Sequence, residues 1–183
     1  MSLEAFGAFG NRLDDAKKTH LFAWFHLEQT EEARNSAGHH VLTFRPESPQ
    51  FGPLVSLDIT VDDADHMLAM DLRLLRRFLD DQKNGAFARD IAKSFLQSAT
   101  PAPDMALIGG LVSRIESDMI GMTIHHRSVQ PSEVFPERFD EMYLTFLGQK
   151  PVATQPLSLT KFRLTNIGMG GNAVLDISFE ITR

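Results

Sequence analysis

The sequence predicts an α+β fold, with an antiparallel sheet of about five to six strands and helices packed on one face. Three observations carry that expectation. Residues 55–61 alternate Val55, Leu57, Ile59 and Val61 with Ser56, Asp58 and Thr60, which is the period of a strand with one buried face. The C-terminal segment does the same, with Ala173, Leu175, Ile177, Phe179 and Ile181 alternating with Val174, Asp176, Ser178 and Glu180. Between these strand groups, Phe87, Ile91 and Phe95 recur at four-residue steps, the spacing of a helix.

The order expected along the chain is α-β-β-β-α-α-α-β-α-β-β. A first helix over 2–16 places Leu3, Phe6, Phe9 and Leu13 on one stripe, weakened by Gly7 and Gly10. A strand over 19–28 follows, apolar on both faces: Leu21, Ala23, Phe25 and Leu27 on one, Phe22 and Trp24 with His20 and His26 on the other. A polar loop, Gln29 to Gly38, leads to a strand over 39–45, making a hairpin with a long tip. After the strand at 55–61, Asp62 and Asp63 cap a long helix with Leu68, Leu72, Leu75 and Leu79 as its stripe and Gly85 as its stop. A second helix spans 86–97, and Thr100-Pro101-Ala102-Pro103 is a connector. Residues 104–117 are ambiguous, because Met105, Ile108, Leu111, Val112 and Ile115 favour a helix while Gly109-Gly110 oppose it. A strand over 120–128 and a helix from Pro136 to near Gly148, with Phe139, Met142, Tyr143 and Phe146 as its stripe, complete the middle. Residues 161–167 pair with the C-terminal strand, Phe162 facing Ile177, Arg163 facing Asp176 and Leu164 facing Leu175. A β-bulge near Thr160-Lys161 corrects the parity of Leu157 and Leu159.

With 183 residues, 43% of them apolar, the chain suits one domain over 1–183 with a core that needs no staples. It has no cysteine, which removes disulfides, thiolate zinc sites and a cysteine nucleophile. A net charge of −6 argues against general binding to nucleic acid or to an anionic membrane. No apolar run approaches the length that spans a bilayer, and residues 1–20 lack the basic-then-apolar pattern of a signal peptide, so a cytoplasmic location is expected.

Chemistry has few places to sit. His20, His26 and one of His39 and His40 converge if their strands pair, which would suit zinc or a general base; scattered surface histidines are the plainer account. The run Asp62-Asp63-Ala64-Asp65-His66 reads as an acidic first helical turn rather than a magnesium or calcium site. Gly168-Met169-Gly170-Gly171-Asn172 lacks a following helix and reads as a hairpin turn, not a phosphate cradle. No Gly-x-Ser-x-Gly elbow is present. Arg73, Arg76, Arg77, Arg89 and Lys93 make a modestly basic helical surface that could touch nucleic acid or an acidic partner; Asp71, Asp80, Asp81 and Asp90 interleave with it, so a mixed solvated face is the plainer account. No catalytic residue and no cofactor are assigned.

The remaining oddity is 14 phenylalanines against one tyrosine and one tryptophan. Phenylalanine has no polar handle and fills cores or dry pockets. The reading that follows is a non-catalytic, self-associating interaction module, a homo-oligomer whose exposed apolar patch centres on Phe22 and Trp24 with His20 and His26 beside them. Two alternatives stand with it: a binder of a small apolar ligand in a Phe- and Met-lined cavity, and a histidine-dependent enzyme or metal protein.

Overall fold

The computed structural model describes residues 4–127, 129 and 140–182. Its strands are β1 (Leu27–Arg34), β2 (His40–Pro46), β3 (Val55–Val61), β4 (Met67–Leu75), β5 (Val152–Pro156), β6 (Thr160–Ile167) and β7 (Val174–Ile181). They form one seven-stranded sheet in the order β1-β2-β3-β4-β7-β6-β5, every neighbouring pair antiparallel. The α+β class stands, with slightly more strands than expected. The helices are α1 (Leu13–Lys17), α2 (His20–Trp24), α3 (Arg76–Leu79), α4 (Gly85–Ala99), α5 (Met105–Ile124) and α6 (Glu141–Phe146).

Alternation sorts the sheet into two faces. Leu42 and Phe44, Leu57 and Ile59, Met70, Leu72 and Leu74, Leu175, Ile177 and Phe179, and Phe162 and Leu164 all point to one side and are buried. Helix α4 adds Ile91 and Phe95 to this core, Phe95 meeting Phe179 edge-on at 5.7 Å and Phe9 at 6.0 Å. Helix α5 packs against α4 through Ile108, Leu111 and Ile115. The other side of the sheet carries Thr43, Asp58, Asp71, Arg73, Asp176, Ser178, Lys161 and Arg163, and no helix covers it among the described residues.

Several expectations change. The N-terminal segment is not one helix: Gly7 (φ 57°) and Gly10 (φ 74°) divide a short 3-10 turn at Gly7–Phe9 from α1. A Cβ on Gly7 would stand 2.6 Å from the carbonyl oxygens of both Ser98 and Thr100, so this close approach to the end of α4 requires glycine. Residues 2 and 3 of that expected helix lie outside the described residues.

The strand expected over 19–28 is mostly helix α2. Its apparent two-faced apolarity is a helical stripe, since the buried positions are Leu21, Phe22 and Phe25, at i, i+1 and i+4. Strand β1 begins only at Leu27 and runs to Arg34, taking in Gln29 to Arg34, which the sequence reads as loop. It is an edge strand, where charged residues blunt the unpaired backbone. The hairpin tip is short: Asn35 Oδ1 accepts from the Ala37 and His39 amides, both at 3.0 Å, and Gly38 takes φ 85°.

The helix expected after Asp62 is strand β4 followed by the single turn α3. Asp62 does not cap a helix; its Oδ1 accepts from the Ala64 and His66 amides at 2.9 Å and closes a β3–β4 turn with Asp65 at φ 60°. Met70, Leu72 and Leu74 already alternate with Asp71 and Arg73, and pairing to β3 and β7 on both sides overrides the leucine spacing. Residues 104–117 resolve as helix, and α5 continues to Ile124, so the strand expected over 120–128 is helical to that point and Ser128 lies outside the described residues. Helix α6 covers only Glu141–Phe146 of the helix expected from Pro136; residues 136–139, with Phe139, lie outside the described residues. Asp140 caps α6 through Oδ1 to the Met142 and Tyr143 amides.

At the C-terminus the expected pairing forms, displaced by two residues. Phe162 faces Phe179, Arg163 faces Ser178 and Leu164 faces Ile177. The connection is a six-residue loop closed by a 3-10 turn at Gly170–Asn172, longer than a two-residue hairpin, and an even displacement keeps every side chain on its face. The expected bulge is instead a second hairpin: Leu157 N–H donates to the Thr160 carbonyl at 2.8 Å, and β5 pairs with β6.

Candidate functional site

The strand register builds a polar surface row by row. Thr43, Asp58, Asp71, Ser178, Arg163 and Thr154 stand side by side across six strands. Ser56, Arg73, Asp176 and Thr165 form the next row, and Thr60, Ala69, Glu180 and Lys161 the row on the other side. Around these rows the sheet holds an open cleft of about 660 Å³, closed at one end by Asn35, Ala37 and His39 of the β1–β2 turn.

Two carboxylates of this sheet face are compensated. Asp58, 8% exposed, accepts from Thr43 Oγ1 at 2.6 Å and from Arg73 Nη1 at 2.9 Å. Arg73 also donates from Nε to Asp176 at 3.4 Å. Asp71 lies directly opposite Asp58 on the neighbouring strand, a position where like charges oppose each other. It is half-buried and makes no hydrogen bond or ion pair with any described side chain. Burial, then the nearby Asp176, push its carboxyl up to about 7; Asp58 and Glu180 add to the rise, and Arg73 opposes it. Asp176 is raised too, chiefly by burial, with Arg73 pulling against it.

The opposite wall is basic. Lys161 and Arg163 on β6 are exposed, and neither forms an ion pair within 4.0 Å among the described residues. The cleft thus has an acidic half on β4 and β7, with Asp71, Asp176 and Glu180, and a basic half on β6, with Ser178 between Asp71 and Arg163 in the strand register.

The residues singled out in the sequence lie elsewhere. Phe22 is 6% exposed and packs edge-on against Phe44 at 5.1 Å, so it belongs to the core. Trp24 is 60% exposed, and His20 stacks on it at 5.4 Å and 25°. Trp24 and His26 line a separate apolar pocket of about 380 Å³ with Phe25, Phe51 and Phe87, and His26 holds a left-handed backbone at φ 47°. Phenylalanines line this pocket; methionines do not. The histidines do not converge: His39 sits at the cleft, while His40 binds Glu32 at 2.8 Å, and no three His, Asp or Glu side chains are grouped to hold a metal among the described residues.

Sequence reasoning missed Asp71, Arg73 and Lys161 as site residues. Their signal was present, since Asp71 and Arg73 alternate with buried residues as open-face positions do. Comparison with family models, curated proteins and solved structures finds no match for this chain.

Proposed function

We propose that the protein is a binding module that holds a small polar ligand on the sheet face that no described helix covers. The observation that supports this is Asp71, a half-buried carboxyl with no hydrogen bond or ion pair among the described residues, in a cleft that also carries the cations Lys161 and Arg163, neither of which forms an ion pair within 4.0 Å among the described residues. Half-buried charge without a partner is unfavourable in the empty fold, and a ligand that completes it recovers that free energy on binding. The test is a set of small charged fragments titrated into ¹⁵N-labelled protein. Amide shifts concentrated at Asp71, Ser178 and Arg163 support the reading; shifts confined to Trp24 and His26, or none, overturn it.

Self-association is a second reading, favoured by α5. Gly109, Gly110 and Gly121 lie in this helix, and a Cβ on any of them would meet nothing within 4 Å among the described residues. Glycine inside a helix costs about 1 kcal/mol against alanine, and the described fold draws no close approach from these three. Leu107, Ile120 and Ile124 are exposed on the same helix. A second copy of the chain, packing a helix backbone onto this surface, would use both features. Light scattering behind size exclusion tests it: a mass of two chains supports the reading, and one chain at high concentration removes it.

A further inference from the structure

Resting on the reading of that sheet face as a binding site, we propose that its ligand is dipolar, a small molecule bearing an ammonium group and a carboxylate, such as an amino acid or short peptide. The argument is the segregation of charge by strand. Asp71 and Glu180 stand on β4 and β7, and Lys161 and Arg163 on β6. Arg73 bridges Asp58 and Asp176, which leaves Asp71 and Glu180 as the carboxylates of the cleft without an ion pair among the described residues.

The two signs form no ion pair within 4.0 Å across β7 and β6 among the described residues, although the Arg163 charge is near enough to favour the ionised Asp176. Lys161 is the cross-strand neighbour of Glu180, yet no ion pair forms within 4.0 Å. Asp71 and Arg163 are separated by the strand that carries Ser178, two strand spacings or about 10 Å between Cα positions. Side chains stand roughly perpendicular to the sheet, so charged ends about 10 Å apart leave room for a small zwitterion and an ion pair at each of its ends. Ser178 is placed to accept from the ammonium or donate to the carboxylate.

Single charges fit less well. A lone cation at Asp71 leaves Lys161 and Arg163 repelling it, and a lone anion at Arg163 meets Asp71, Asp176 and Glu180. Only an occupant with both signs answers both walls. Its ammonium is held at Asp71 and its carboxylate at Arg163, with Lys161 and Glu180 beside them.

Three probes test this at pH 8, followed by amide shifts and titration calorimetry: glycylglycine, ethylamine and propionate. Glycylglycine is expected to bind at least about tenfold more tightly than either single-charge probe. Asp71→Asn should weaken glycylglycine by about tenfold, and the more exposed Arg163→Gln by about threefold. Propionate binding should survive Asp71→Asn, and ethylamine binding should survive Arg163→Gln. Circular dichroism establishes that each variant is folded, and Arg163→Gln, at an exposed position, keeps the test valid if Asp71→Asn is not. Ethylamine binding at the cleft as tightly as glycylglycine refutes the dipolar ligand and leaves the binding site standing. No cleft shift with any of the three refutes both.

Discussion

Replacing Asp71 by asparagine keeps the shape of the side chain and removes its titration. The carboxyl moves from an ordinary 3.8 to about 7 in the fold. Each pH unit of such a displacement is worth about 1.4 kcal/mol, so the whole window carries at most about 4 kcal/mol, reduced by the water that still reaches a half-buried group. The folded protein holds this proton more tightly than the unfolded chain does. Its contribution is therefore most favourable below 3.8 and is lost as pH rises towards 7. The charged groups facing it are Asp58 on β3, Arg73 on β4, Asp176 and Glu180 on β7, and Lys161 and Arg163 on β6, with His39 at the end of the cleft. Urea unfolding of both proteins at pH 5 and pH 8 isolates the effect, because any fixed cost of the asparagine amide cancels in the comparison. The variant should gain about 2 kcal/mol on the parent between the two pH values. Parallel stability curves would refute the account of Asp71 as an uncompensated carboxyl.

Three further outcomes follow from the same packing. Arg73→Ala strips the shared partner from Asp58 and Asp176, and should lower stability by about 1–2 kcal/mol in a urea melt, the exposure of Arg73 keeping the loss below that of a buried pair. Phe22→Ala empties a core position against Phe44 and should cost about 3–4 kcal/mol, whereas Trp24→Ala, at an exposed site, should stay within about 1 kcal/mol; equal losses in thermal unfolding would contradict their separation. Gly110→Ala adds a methyl group to open space on α5 and should raise the stability of the single chain by about 0.5–1 kcal/mol. If α5 docks on a second copy, the same change lowers the dimer fraction seen by light scattering.

Much of the fold is legible in the sequence where one period stands alone. Residues 55–61 bury Val55, Leu57, Ile59 and Val61, and α4 buries Ile91 and Phe95, as their spacing requires, though Ser56 and Asp58 on the other face of β3 are buried as well. Legibility fails where two periods coexist. Residues 67–79 contain both the leucine steps of a helix and the alternation of a strand, and β3 and β7 select the strand by taking its backbone hydrogen bonds on both sides. At 20–25 the choice runs the other way, and Phe22 turns inward while Trp24 stays in water.

Periodicity is a local property, so the amino-acid order alone suffices to say that Asp176 and Ser178 share a face, that Leu175 and Ile177 oppose them, and that the fold mixes strands with helices. It is silent on neighbours across the sheet. Arg73 reaches Asp176 over 103 positions of chain, and Asp71 meets Asp58 only because a turn at Asp62–His66 sets the β3–β4 register. Strand order and register come from long-range hydrogen bonding and from burial of the common core. Those same pairings place unlike charges on neighbouring strands of one cleft and leave Asp71 without a hydrogen bond or ion pair among the described residues.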